Sequence, residues 1–255
     1  MRLYDTQIIS YDFKDQWPDG CESGCISSIT ASEFLLVQSS KPAQAHYYVP
    51  LPKRLAIHTG IARARRNRPF PKNSTDQVLV NFGRDFPMYV EFCNLALSQV
   101  INDNLAELFS AATDFLPKDT RKLVRSRFAY LVARHISCVP LSRASLTSAL
   151  ELLDRFTAGF NPKANFRNTL NDILILATAR NNSAELITSD STLSRFASRI
   201  YEVPIARVRD RILLNFSLAD PVGFKTSRES KGYINRGWQF RFHNYTQKVA
   251  DQFGS

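Results

Sequence analysis

The sequence predicts an α/β protein with a central parallel sheet, interrupted by a mainly helical insertion. Three observations carry that expectation. From residue 138 onward, short β-like runs alternate with amphipathic helical runs, the signature of strands joined by helical crossovers. Residues 1–41 hold one more such pair, a strand followed by a helix. Between them lies a long stretch, 42–137, that is Pro-rich and aromatic at its start and basic and helical later. The chain has 255 residues, 44% of them hydrophobic, enough to bury a sizeable core and too apolar for compositional disorder.

At the N-terminus, "RLYDTQIIS" reads as a short strand with Asp5 inside it. "YDFKDQWPDGCESG" reads as a loop with Pro18-Asp19-Gly20 as its turn. "CISSITASEFLLVQ" becomes helical in its second half, with Ser28 or Thr30 as cap and Glu33 in or near the first turn. The stretch "HTGIARARRNRPFPK" gathers Arg63, Arg65, Arg66 and Arg68. The apolar spacing of "MYVEFCNLALSQVINDNLAELFSAATDFL" predicts one long helix or two shorter ones. "PKDTRKLVRSRFAYLVARHI" is a basic amphipathic helix.

The C-terminal part continues the alternation. "CVPLS" is a strand, "RASLTSALELLDRFTAGF" a helix ending near Gly159, and "NPKANFRNT" a loop. "LNDILILATARNN" is an apolar helix, "AELITSD" a strand, "STLSRFASR" a helix and "IYEVP" a strand. The tail from 207 is basic and aromatic: Arg236 and Arg241 stand among Trp238, Phe240 and Phe242, and "GWQFRFHNY" alternates like a strand.

Lys and Arg number 33 against 23 Asp and Glu, a net charge of +10. That excess speaks about partners, and a nucleic acid is the natural one. No apolar run reaches membrane-spanning length, and the first charges come too early for a signal peptide. Cys21, Cys25, Cys93 and Cys138 lack the spacing and nearby histidines of a zinc set, so free thiols in a reducing cytoplasm are expected. His46, His58, His135 and His243 are scattered and predict no histidine-based site.

Four acids stand out: Asp5, Glu33, Asp172 and Asp190. In an open parallel sheet, ligands bind beyond the carboxyl ends of the strands, where strand order reverses. All four acids can reach one such rim. Unpaired carboxylates there repel one another, and a divalent cation removes that cost; hard oxygen ligands suit Mg²⁺ or Mn²⁺. Each acid also has a plainer reading. Thr169-x-x-Asp172 matches a capping box, Asp190 fits an N-cap, and a helical Glu33 is ordinarily solvated. No cap explains Asp5 inside a strand. Thr6 and Thr188 either orient a carboxylate or are plain strand threonines. Asn171 belongs to a turn, and Asp12, Asp15, Asp19 and Asp154 to the solvated surface.

The motifs "LYDTQIIS", "ISSITASEFLL" and "NDILILATARNNSAELITSDSTLSRFA" resemble the three acidic motifs of PIN-domain ribonucleases, the VapC-type toxins among them. Asp5, Glu33, Asp172 and Asp190 fall on the family's acids. The resemblance covers about residues 1–41 and 138–205. It implies a PIN-like three-layer fold, with a nuclease domain in 1–41 and 138–206, an insertion in 42–137 and an extension in 207–255. It also implies an endoribonuclease that uses Mg²⁺ or Mn²⁺ held by the four acids. Gln7 stands where the family often has Asn.

Arg63, Arg65, Arg66, Arg68, Arg236 and Arg241 are then candidate RNA contacts, by phosphate attraction and by base stacking on the neighbouring aromatics. The Arg cluster and the basic helix also read as solvated faces. The tail also reads as a half-buried strand, or as a docking surface for an antitoxin or another subunit. A PIN-fold RNA-binding or scaffold protein with little catalysis, and a nuclease acting on DNA, are the competing functions.

Overall fold

The computed structural model describes residues 1–16, 20–21, 23–38, 47–51, 77–81, 89–201, 205–208, 211–216 and 239–242. Arg63, Arg65, Arg66, Arg68 and Arg236 lie outside the described residues.

The centre is a six-stranded sheet. Its strands are β1 (Arg2–Tyr4), β2 (Cys25–Ser27), β7 (Ser137–Val139), β8 (Glu185–Thr188), β9 (Ile205–Val208) and β10 (Arg211–Asn215), in the spatial order β7-β2-β1-β8-β10-β9. The first four are parallel, and β10 and β9 add an antiparallel edge. A short pair, β3 (Val37–Gln38) and β4 (Tyr47–Tyr48), forms a second sheet. A third, three-stranded sheet consists of β5 (Gln77–Asn81), β6 (Tyr89–Cys93) and β11 (Gln239–Phe242), in the order β11-β5-β6. The expected strand in "GWQFRFHNY" is β11, and Arg241 lies on its backbone.

Alternation along the strands sends neighbouring side chains to opposite faces. Leu3, Cys25 and Leu186 join one apolar cluster, while Tyr4, Ile26 and Ile187 join the other. The first cluster is closed by α6 (Arg143–Gly159), α7 (Phe166–Asn181) and α8 (Ser191–Ile200). The second is closed by α1 (Thr6–Phe13), α2 (Ser28–Phe34), α3 (Leu95–Asn102), α4 (Ala106–Ala112) and α5 (Lys118–Ala133). The result is a three-layer α/β/α arrangement. Residues 95–133, within the stretch read as an insertion, thus share a core with β1, β2 and β8.

Local sequence explains most helix boundaries. Ser27 caps α2 by accepting from Thr30 N at 3.0 Å, and Ser142 caps α6 by accepting from Ser145 N at 3.0 Å. Helix α7 is buried almost all round: Leu170, Ile173, Leu174, Ile175 and Leu176 are each fully shielded. That is why its sequence is a nearly unbroken apolar run.

Several expectations change. Strand β1 ends at Tyr4 and α1 starts at Thr6, so Asp5 is a helix cap and not a strand residue. The reason is local: the Asp5 carboxylate accepts from Thr6 N, and Ile8, Ile9 and Asp12 supply the buried face of a helix. Glu33 lies near the C-terminal end of α2, not in its first turn. Helix α7 begins at Phe166 with Asn165 as cap, so Asp172 sits in its second turn and caps nothing. Ile200 ends α8 and does not open a strand. The "MYVEFC…" segment opens as strand β6 before helices α3 and α4.

Asp12, expected in solvent, is buried. It accepts from Cys21 N at 3.2 Å and from the Tyr130 hydroxyl, and Arg134 stands 3.7 Å away. Its place one turn after Ile8 carries it inward. Arg125 bonds Ser110 O, Thr113 and Asp114, and Arg127 bonds Phe34 O at 2.9 Å. Those two arginines brace α5 against α4 and α2, whereas Lys118 and Lys122 are exposed.

Asn94 ties α3 to the main sheet. Its Oδ1 accepts from Ser28 Oγ at 2.9 Å and Leu141 N at 2.6 Å, and its Nδ2 donates to Leu141 O at 2.8 Å. The residue is buried. We expect Asn94→Ala to cost about 2–3 kcal/mol, because it orphans buried donors and acceptors. Urea unfolding followed by circular dichroism measures it; an unchanged midpoint would refute the tie.

Candidate active site

The chain passes from β1 to β2 on one side of β1, and returns from the far edge strand β7 through α6 and α7 to β8 on the other side. Strand order therefore reverses at β1 and β8, the kind of switch point beyond whose carboxyl ends open α/β sheets bind ligands. Asp5 directly follows β1, and its backbone N–H pairs with Ile187 O of β8 at 3.0 Å. Asp190 lies two residues past the end of β8. Helix α2 brings Glu33, and the second turn of α7 brings Asn171 and Asp172.

A continuous set of donors links the four acids. The Thr188 hydroxyl donates to Asp5 Oδ2 at 2.6 Å and accepts from Asp190 N at 3.0 Å. Thr6 donates its backbone N–H to Asp5 Oδ1 at 2.6 Å and its hydroxyl to Glu33 Oε2 at 2.5 Å. Asn171 Nδ2 donates to Glu33 Oε1 at 2.5 Å. Lys163 Nζ stands 2.6 Å from Asp172 Oδ2 and 2.8 Å from Asp190 Oδ2. Asp190 Oδ1 caps α8 by accepting from Thr192 N at 2.8 Å and Leu193 N at 2.9 Å. Gln7 accepts from the Ser189 hydroxyl at the same rim.

Thr6 and Thr188 thus both orient carboxylates. Asn171 is no turn residue: it is buried in α7 and positions Glu33. Asp190 is both an N-cap and a member of the cluster, because its two oxygens divide the tasks. Lys163 was not singled out by sequence reasoning. Its signal was weak, a lysine in a loop nine residues before an acid, with no pattern to distinguish it from a solvated one.

The charges are not evenly balanced. Burial pushes the Asp5 carboxyl up to about 6, helped by the charges of Glu33 and Asp190 and opposed by the Thr188 hydrogen bond. Burial and the charge of Asp5 raise Asp172 to about 7, against the pull of Lys163. Asp190 goes the other way: burial raises it, but Lys163 and the α8 N–H groups outweigh that and hold it below the usual carboxylate range. For Lys163, burial lowers the pKa and the two acids more than restore it, so it stays a cation.

The donor set suits a hard divalent cation by its chemistry. Four carboxylates share this rim with one ammonium, which touches only Asp172 and Asp190, and burial favours the neutral form of Asp5 and Asp172. The Asn171 Oδ1 atom is buried without a hydrogen-bond partner. Oxygen donors with unmet negative charge fit Mg²⁺ or Mn²⁺. Among the described residues, no three His, Cys, Asp or Glu side chains already stand in a metal-holding group. Thr6, Thr188 and Lys163 intervene between the acids.

The fold and its switch point define an α/β protein with a cluster of acids at the sheet rim. Comparison with family models narrows the class: residues 95–199 match the model of the PIN domain. The match supports a PIN-domain family, part of a superfamily of metal-dependent nucleases that typically use Mg²⁺ or Mn²⁺. It begins at Leu95, inside the stretch read as an insertion, and it includes Lys163, Asp172 and Asp190. Comparison with curated proteins and with solved structures gave no match. Among the described residues, no helix is long and apolar enough to cross a membrane.

Proposed function

We propose that the protein is a metal-dependent endoribonuclease with Asp5, Glu33, Asp172 and Asp190 as its site. The observation that carries this reading is the linkage of four acids from four separate chain segments at one strand-order reversal. A fold needs no such cluster for stability, since two of its members are buried against their preference for charge.

Asp5, Asp172 and Asp190 would hold the ion, with Glu33 beside them. When bound, Mg²⁺ or Mn²⁺ supplies Lewis-acid polarisation of a phosphoryl oxygen and makes water a better nucleophile near neutral pH. The chain's own groups do the positioning. Thr188 and Thr6 fix both oxygens of Asp5, and Thr6 and Asn171 fix both oxygens of Glu33. Lys163 and the α8 N–H groups together hold the Asp190 carboxyl below the usual carboxylate range, which favours its charged form. In-line attack on phosphorus leaves 5′-phosphate and 3′-hydroxyl ends.

The net charge of +10 supports an RNA substrate, with Arg63, Arg65, Arg66, Arg68, Arg236 and Arg241 as phosphate contacts. A toxin role restrained by an antitoxin, or a homo-oligomer, and a cytoplasmic location remain part of the proposal. So does the division into a nuclease domain at 1–41 and 138–206, an insertion at 42–137 and an extension at 207–255.

Labelled single-stranded RNA, structured RNA and DNA, each incubated with Mg²⁺ or Mn²⁺, test the reading. We expect RNA cleavage that chelation abolishes and that Asp190→Asn lowers by about 100-fold or more. Equal cutting by Asp190→Asn would remove the site. Salt-sensitive RNA binding without cleavage would favour a scaffold, which the intervening Lys163 makes the reading to exclude first.

A further inference from the structure

We propose that Lys163 is a built-in counter-ion that competes with the divalent cation for Asp172 and Asp190, and so sets how tightly the site takes the metal. The inference rests on the metal-site reading above. Its force comes from which oxygens are engaged. Asp190 Oδ1 is committed to the α8 cap, which leaves Oδ2 as the oxygen open to a ligand. Lys163 Nζ holds that oxygen, and it holds Asp172 Oδ2 as well.

The lysine is tethered to this place. The 160–165 loop joins α6 to α7, and Lys163 N donates to Thr169 Oγ1 at 2.8 Å. Thr169 is itself buried in the first turn of α7. The backbone thus keeps Lys163 at the rim, and exchange falls to its flexible stem. The side chain is 38% exposed, so the ammonium has a way out to solvent. A strongly hydrated point charge on a four-carbon arm suits that task better than a guanidinium, which would hold the two acids in a fixed fork.

A carboxylate oxygen that faces an ammonium at hydrogen-bond distance cannot offer the same lone pairs to a second cation. The metal must therefore displace the lysine, and its affinity falls by the work of that exchange. In return, the metal-free protein keeps Asp172 and Asp190 partly compensated. The site exchanges one cation for another and does not open as a bare acidic pocket.

Calorimetric titration with MnCl₂ alone tests this on the full chain, using the parent, Lys163→Gln, Lys163→Arg and Asp190→Asn. We expect Lys163→Gln to bind Mn²⁺ about tenfold or more tightly than the parent, Lys163→Arg to bind no more tightly, and Asp190→Asn to bind more weakly. Equal or weaker binding by a folded Lys163→Gln overturns the exchange while leaving the metal site in place, provided Asp190→Asn still weakens binding. Absence of Mn²⁺ binding in both parent and Lys163→Gln overturns both readings. Should Lys163→Gln not fold, carbon-13 NMR of the parent decides: Mg²⁺ must shift the Lys163 Cε signal, and an unmoved signal sinks the proposal.

Discussion

Asp5→Asn should abolish metal-dependent cleavage, by about 100- to 1000-fold, while leaving the metal-free protein at least as stable as the parent. The two effects have opposite sign because one carboxylate serves chemistry at the expense of the fold. Asp5 is 2% exposed, and burial lifts its pKa to about 6. Above that pH the parent holds a buried anion that the unfolded chain would hydrate freely. Asparagine keeps the oxygen that accepts from Thr6 N and removes the charge. Its amide would face the Thr188 hydroxyl, which can turn to accept. Thermal unfolding at pH 8 and an RNA-cleavage time course, run on one preparation, check both halves. A melting temperature well below the parent's would mean that lost activity reports lost fold. Full activity would remove Asp5 from the site.

The stability of the metal-free protein should fall as pH rises from 5 to 8, and Mn²⁺ should reverse the fall. Asp5 and Asp172 have folded pKa values of about 6 and about 7, both raised above the unfolded carboxylate range. Groups shifted upward bind protons more tightly when folded. Their stabilising contribution is complete below about pH 4 and is lost as pH climbs through 6 and 7. At about 1.4 kcal/mol per pKa unit, the two together make a swing of a few kcal/mol. Asp190, shifted down, acts the other way, but only in the acid range below this window. A bound divalent ion favours the charged carboxylates, so saturating Mn²⁺ should raise the melting temperature more at pH 8 than at pH 5. At 100 times the dissociation constant, the gain is about 2.7 kcal/mol. A metal-free melting temperature that rises steadily from pH 5 to pH 8 would contradict the buried charges of both acids.

The alternation of apolar runs after residue 138 made α6, α7, β8 and α8 legible, because helix and strand periods differ and each element is long or well bounded. Asp172 and Asp190 stood out there, one in an apolar helix and one after a strand. The N-terminal junction is not legible in sequence because strand and helix abut with one residue between them. Asp5 ends the first and caps the second, so periodicity has no room to change visibly. Glu33 stands out in sequence, but its place in α2 does not, since a seven-residue helix has little separation between its ends.

What the sequence determined by itself was the inventory: an α/β layer pattern, an excess of positive charge and four acids on separate segments. Only the tertiary structure decided what those acids meet. In sequence, Thr6 and Thr188 read equally as carboxylate-orienting groups or plain strand threonines, and Asn171 reads as a turn residue; the fold decides between these. Contacts between Asn171 and Glu33, or between Thr188 and Asp5, join residues 138 and 183 positions apart. Lys163 shows the limit most clearly. Asn161-Pro162 marks its loop but says nothing of the lysine, whose charge acquires meaning only from two carboxylates that α7 and α8 bring to it. Local preferences specify elements, but the electrostatics of a site depends on which charges share a low-dielectric rim, and only the closed fold sets that.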